Sequence, residues 1–468
     1  MFVANKFYNN ILDAPGVDNT GILDCSSGIN TALSSGGMWW FPDGTYKIKS
    51  PIILSVARTS IRASGNAVFN PTGFVGSQFF TITADYCTIE DIKIQFTNTT
   101  TATNSAANGI QITGAQGCRI ENVYARYING WVVQSTGGSS TPNYNTHLIN
   151  IQGYQCLQGF HLKGVSGSGF GGLHFMDRCY SNQMRGGHGF LIEDFLDLVA
   201  TNIFSEPESG SSGNPIQIVG NCNAIYFTNF DVGLYPGPQV DSSIYILADG
   251  NGSPSHIGFS NGITQGGNSS GVRIDAGTHI LFENTNIYNN ATFGVRIVGG
   301  SSLKFKGCTF DANGSQTGGN RVDFQSASTS DVTLEGCTFA TNNGVGAQQT
   351  NKAINDSGFA VQLSNCSFIG TGYVGNAGNI FNGYPKYIRN NPGLNPIGDL
   401  GAPAFGASPY TPPTQSFDYT AYIAGGTVTS VAIGGKVTGL TSGAFRVASG
   451  QTITVTYTVA PSWTWLGD

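Results

Sequence analysis

Acidic side chains are few in this chain and several of them cluster. Among 27 Asp and Glu in 468 residues, Glu193, Asp194, Asp197, Glu206, Glu208 and Asp231 form the densest group. Two carboxylates flanking a glycosidic bond supply an acid and a base or nucleophile, whereas elimination from a uronate needs a base plus Arg, Lys or a metal to neutralise charge. Glu206 lies four residues after Asn202, and Asp231 two residues after Asn229. If those asparagines hold equivalent places on adjacent strands, a strand step of roughly 4.8 Å and a two-residue slip of roughly 6.6 Å separate the acids by about 5 to 9 Å. That range covers both retaining and inverting hydrolysis and selects neither. The same acids also read as solvated turn residues.

Asp177 falls 25 residues before Asn202. This count places it in the column that other coils fill with Asn or Gly, where it either mimics Asn or turns outward to work with Asp194, Glu206 or Asp231. Arg178 follows it. Arg178, Tyr180, Glu208 and Tyr235 are the candidate substrate-binding residues, the tyrosines as platforms for sugar rings. His147, His161, His174 and His188 gather just before the acidic cluster, yet no HxH or HExxH spacing marks a metal site. No metal or cofactor is expected. The glycine-rich stretches 164–172 and 186–189 lack the Lys-Ser/Thr ending of a phosphate loop and read as turns.

A repeat must position these residues. Gly-Cys-Thr-Phe stands at 307–310 and 336–339 and returns as Asn-Cys-Ser-Phe at 365–368, its cysteines 29 residues apart. A fixed period of this size means a solenoid, in which each unit closes its core only by stacking on its neighbours. Asn202, Asn229, Asn261, Asn284, Gly307, Gly336 and Asn365 align as one column. Asn and Gly tolerate left-handed backbone, and stacked amides bond along a ladder, so this column is a repeated bend. Two residues earlier, Ala200, Phe227, Phe259, Phe282, Phe305, Leu334 and Leu363 form an inward apolar file. Between the two runs an outward file, Thr201, Thr228, Ser260, Glu283, Lys306, Glu335 and Ser364. Its alternating charges read as an ionic ladder rather than as catalysts. The nine cysteines contain no CxxC pair and read as buried thiols, with disulfides between stacked thiols as the alternative, which parallel Cβ vectors suit poorly.

Composition agrees with stacked strands. Only 10% of residues are charged, aromatics reach 11%, and there are 66 glycines. A net charge of −6 and the lack of any Lys/Arg run exclude a nucleic-acid partner. The opening Met-Phe-Val-Ala-Asn-Lys has no secretory pattern, and no segment is long and apolar enough to span a bilayer, so neither a signal peptide nor membrane insertion is expected.

At the N-terminal end, Asn19 or Thr20 is placed to cap one short helix carrying Ile22, Leu23, Ile29 and Leu33, which stops at Gly36-Gly37 before a strand over 38–41. The segment Gly36-Gly-Met-Trp-Trp-Phe-Pro-Asp-Gly-Thr-Tyr46 resembles the opening of the pectate-lyase-like superfamily common in phage tail spikes, matching at Gly36, Gly37, Phe41, Pro42, Gly44 and Tyr46. The preceding stretch keeps Asp18 and Thr20 but lacks that family's paired aspartates. The resemblance implies an all-β chain, a right-handed single-stranded parallel β-helix with a short N-terminal capping helix and a small β-sandwich-like C-terminal domain. The expected organisation is an opening segment over 1–50, the β-helix over 51–384, a Pro/Gly linker over 385–416 and a β-rich module over 417–468. That module resembles the C-terminal modules of phage tail proteins. Its Trp463 and Trp465 share a strand face, for core packing or for contact with sugar or subunit.

The resemblance further implies a virion tail component, released by lysis, that binds and in some members cuts a cell-surface polysaccharide. It also implies a homotrimer with other tail or baseplate proteins as partners. A free bacterial lyase or hydrolase and a non-catalytic tail adhesin are the alternatives.

Overall fold

The protein is described by a computed structural model covering residues 8–96, 107–138, 141, 143–165, 171–208, 211–233, 241–313, 322–327, 331–340, 352–358, 361–369, 381–382, 387–389, 391, 398–415, 418–448 and 450–467. It divides into two compact units, Met1–Leu281 and Phe282–Asp468.

The first unit is built from parallel strands joined coil to coil. Arg119–Arg126 pairs with His147–Tyr154, which pairs with His174–Met184, then Leu196–Pro207, then Asn223–Gly233. A second sheet receives one strand per coil in the same order: Asn108–Thr113, Trp131–Thr136, Gln158–Lys163, Phe190–Glu193, Ile216–Val219 and Ser242–Leu247. Strands of period two bury alternate residues, so like side chains stack at each level. Ala200, Phe227 and Phe259 are buried as the inward file requires, the two phenyl rings lying parallel 5.1 Å apart.

The bend column is equally regular. Asn202, Asn229 and Asn261 have φ of 54°, 55° and 54°, the left-handed region that asparagine tolerates. Their amides bond along the ladder, Asn229 Nδ2 donating to Asn202 Oδ1 at 3.4 Å, and the pattern extends to earlier coils, where Asn150 Nδ2 donates to Asn122 Oδ1 at 2.8 Å.

The N-terminal helix starts later than the cap reading places it. Thr20–Asp24 is a strand, Thr20 bonds to Asp18 instead of capping, and the helix is Ser26–Leu33. Asp24 receives the Ser26 N–H at 3.1 Å and so serves the helix start. Ile29 and Leu33 are buried while Ile22 and Leu23 are exposed, because only the former pair lies on the helix. The strand Met38–Phe41 forms as expected.

In the second unit Ser301–Lys306, Val332–Glu335 and Val361–Ser364 stack in parallel, beside Thr309–Asp311, Thr338–Ala340 and Ser367–Phe368. The repeated phrase shows why it recurs: Phe310, Phe339 and Phe368 stack at 4.7 and 4.8 Å, and Cys308, Cys337 and Cys366 are buried thiols. Lys306 bonds Glu283 at 2.8 Å, but Glu335 takes Lys304 at 2.6 Å, so the ionic ladder runs through a lysine outside the outward file.

The C-terminal strands form two antiparallel sheets, one of Gly398–Asp399, Ser462–Gly467, Tyr419–Ala424 and Gly443–Val447, the other of Lys436–Val437, Thr427–Ile433 and Ile453–Val459. Their shared core holds Tyr419, Val431, Phe445, Val455 and Trp465. Trp463 stacks on Phe405 at 4.2 Å and donates to the Pro403 carbonyl at 2.7 Å, so both tryptophans serve packing. The proline-rich stretch reaches this module too: Tyr410 exchanges two backbone hydrogen bonds with Val455 at 2.9 Å each.

Candidate active site

Past the bend, the strands of the acidic coils continue for several residues and present a second outward face. On it stand Tyr180 and Asn182, then Phe204 and Glu206, then Asp231, followed on the next strand by Ile263 and Gln265. The intervening residues Cys179, Ser181, Ile203, Ser205, Phe230 and Val232 are buried, which forces their neighbours outward. Asp231 stands opposite Phe204, and Glu206 opposite Asn182. The two carboxylates are therefore diagonal neighbours on one face, with Cα atoms about 8 Å apart from strand spacing and rise.

Both acids are half-buried, and both titrate above the ordinary carboxylate range. Burial raises Glu206, and the charge of Asp231 raises it further. Burial also raises Asp231, opposed by a hydrogen bond from the Gln265 side chain. Among the described residues no cation is in ion-pair contact with either. Glu206 has the environment of the group that keeps its proton; Asp231, stabilised by Gln265, that of the group that ionises first. Beside them the rings of Tyr180 and Phe204 meet edge to face at 6.3 Å, an apolar floor on which a pyranose ring can lie.

The remaining predicted residues separate into distinct places. Asp177 is not in the bend column: it stands in register with Thr201, and Arg178, at φ 53°, occupies the bend. The coil is one residue shorter than the 25-residue count assumes. Asp177 nevertheless joins the ladder electrostatically, accepting from Asn202 Nδ2 at 2.8 Å, Thr201 Oγ1 at 3.0 Å and Arg178 Nε at 3.0 Å. Burial pushes its carboxyl up, but these three donors together bring it below the usual range. Asp177 and Arg178 thus lie before and at the corner, whereas Glu206 and Asp231 lie beyond it.

Asp194 is fully buried, at the end of a strand of the other sheet, and accepts from the Asn221 N–H and from Asn251 Nδ2, each at 2.8 Å. It holds a turn and has no face open to a polymer, so it leaves the candidate catalytic set. Glu208 is exposed, two residues beyond Glu206 at the strand end. Tyr235 lies outside the described residues. Of the histidines, His161 bonds Glu193 at 3.0 Å and His174 is wholly buried.

Asn182, Phe204 and Gln265 belong to this face but escape the sequence reading. The signal that finds them is the coil period counted along the strand beyond the bend instead of before it. Among the described residues no group of three or more His, Cys, Asp or Glu is arranged to hold a metal ion, and no helix is long and apolar enough to cross a membrane.

Residues 241–391 match the family model described as a right handed beta helix region. No curated protein matches the chain in sequence. Among solved structures, the N-terminal fragment of bacteriophage Phi29 gene product 12 is similar at TM-score 0.55 and 14% identity, over 82% of this chain and 70% of that one. The Azotobacter vinelandii mannuronan C-5 epimerase AlgE6 A-module is similar at TM-score 0.52 and 12% identity, over 82% of this chain and 99% of that one. The Dettilon tailspike protein is similar at TM-score 0.50 and 15% identity, over 98% and 79%. With its parallel coils and this match over 241–391, the chain is a right-handed parallel β-helix protein, a fold also seen in the Dettilon tailspike and the Phi29 gene product 12 fragment.

Proposed function

We propose that this protein is a tailspike-like component of a phage tail that binds a bacterial surface polysaccharide along its flank and hydrolyses it at Glu206 and Asp231. The observation that carries the reading is the half-buried pair itself: two carboxylates on one outward face of adjacent coils, both held above the ordinary range and, among the described residues, neither paired with Arg or Lys. Glu206 protonates the departing glycosidic oxygen while Asp231 acts as base or nucleophile, with Tyr180 and Phe204 under the sugar. Hydrolysis is favoured over elimination because two acids on one face supply both the proton donor and the base, and among the described residues neither acid has an Arg or Lys in ion-pair contact to neutralise a substrate carboxylate. Similarity in fold to the Dettilon tailspike supports the tail assignment.

A homotrimer is part of the proposal. An exposed stripe on one face, Phe175, Val199 and Tyr226 in register on successive strands, is apolar surface suited to a like subunit.

The test is incubation with purified capsular and wall glycans. Wild type should shorten one of them, and Glu206→Gln and Asp231→Asn should not. Binding by all three proteins without shortening would replace the depolymerase with an adhesin. A monomer in light scattering would remove the trimer.

A further inference from the structure

On the coils preceding the acid pair, the same outward file continues as Asn182, Tyr154 and Arg126, each in register with the next. Arg126 lies against two rings, its Cζ 4.5 Å from the Tyr127 centroid and 5.2 Å from that of Tyr154. Its Nη2 donates to Tyr127 Oη at 2.8 Å and to Gln155 Oε1 at 3.5 Å, both neutral acceptors, and its Nε is buried without a partner. Arg185 repeats the situation nearby. Its Nη2 donates to Asn129 Oδ1 at 2.6 Å and to the Ile128 carbonyl at 3.4 Å, and its Nε too is buried and unpartnered. Asn182 Oδ1, between Tyr154 and Glu206, is a third buried polar atom with no partner.

Several other guanidinium groups find carboxylates: Arg62 with Asp91, Arg119 with Glu121, Arg273 with Asp241 and Asp275. Arg126 and Arg185 have none among the described residues. Ring contacts and neutral acceptors offset a guanidinium's desolvation only in part, and Nη1 of each arginine makes no hydrogen bond and is not among the buried atoms, so the fork keeps an open edge that suits a carboxylate or phosphate. The Oδ1 of Asn182 is closed to solvent, but its Nδ2 makes no hydrogen bond and is not among the buried atoms, so it can donate to a hydroxyl or carboxylate of the same ligand.

Resting on the proposed polysaccharide reading, we infer that Arg126, Arg185 and Asn182 form a subsite for an anionic sugar, one bearing a carboxylate or a phosphate. Its ring stacks on Tyr154, and its anion lies on Arg126, three coils and roughly 14 Å from Glu206 by strand spacing. The subsite selects acidic glycans and sets the register in which the chain passes over the acid pair. The charge sits away from the cleavage point, so the carboxylates there are not repelled by it.

The experiment measures binding of the full chain to alginate and hyaluronan, which carry uronates, to a glycerol-phosphate teichoic acid, and to neutral dextran and mannan. An acidic polymer should bind, with affinity that falls as salt rises and drops tenfold or more in Arg126→Gln and in Asn182→Asp. Arg126→Lys should recover only part, since it restores charge without the fork. Thermal melting of each variant at the wild-type temperature shows that the fold is intact, and Arg185→Gln gives the second arm should Arg126→Gln melt early. Uronate and phosphate arms separate the two sources of charge. Binding of neutral polymers alone, or acidic binding indifferent to both arginines, overturns the inference and leaves the proposed function standing. No binding to any polymer overturns both.

Discussion

Asp231 stands in register with Phe204, and so lies diagonally across from Glu206 on the same outward face of the neighbouring strand. Two residues of slip keep the carboxylates close enough for the charge of Asp231 to raise Glu206, yet leave room between them for a bond to be cut. Replacing either acid by its amide should lower glycan cleavage by on the order of 10²- to 10⁴-fold with binding retained, as read by reducing-end release. Asp231→Asn should also lower the titration midpoint of Glu206, because it removes the neighbouring charge; a midpoint that stays put in ¹³C-carboxyl NMR would uncouple the pair.

Asp177 and Asp194 should behave as structural acids. Asp177→Asn loses the carboxylate that gathers Asn202, Thr201 and Arg178, at a cost of about 0.5–1.5 kcal/mol in urea unfolding, with cleavage unchanged. Asp194→Ala strands the part-buried Asn221 N–H and the Asn251 side-chain amide and should cost about 1–3 kcal/mol. A catalytic defect in an Asp177→Asn protein of normal stability would return that residue to the mechanism.

His174 makes stability depend on pH. Its Nδ1–H donates to the Gly172 carbonyl at 3.1 Å, and its Nε2 accepts from Ser135 Oγ at 3.1 Å, so the buried ring is neutral. Burial holds its pKa at about 4, against 6.5 when unfolded. Between those values the unfolded chain binds the extra proton, so the contribution is full above 6.5 and is lost as pH falls towards 4, by about 3 kcal/mol. His174→Gln should flatten the melting temperature over that window. Glu193, held down to about 2 first by His161 and then by Lys163 against the effect of burial, acts lower: its contribution disappears as pH falls from 4.5 towards 2.

All nine cysteines are free and buried, and burial pushes Cys118, Cys156 and Cys222 up to about 12. A disulfide-exchange reagent at pH 8 should label none in the native protein and all nine in denaturant. Fast labelling of the native chain would show that the coils open.

The period of the chain established the solenoid, the buried cysteines, the stacked phenylalanines and the asparagine bend, because each coil repeats the same contacts and so leaves the same residue types at the same step. Asp177 shows where that logic failed. A step of 25 residues from Asn202 puts Asp177 in the bend column, whereas Cys179 follows Arg178 as Cys308 follows Gly307 and marks the bend one residue later. What only the tertiary structure decided is which acids share a face. Glu206 and Asp231 lie beyond the corner, Asp177 before it, and Asp194 inside a turn of the other sheet, and sequence proximity is blind to those directions. The unpaired guanidinium groups of Arg126 and Arg185 were equally hidden, since the absence of a counter-charge is a property of packed neighbours and not of residue type.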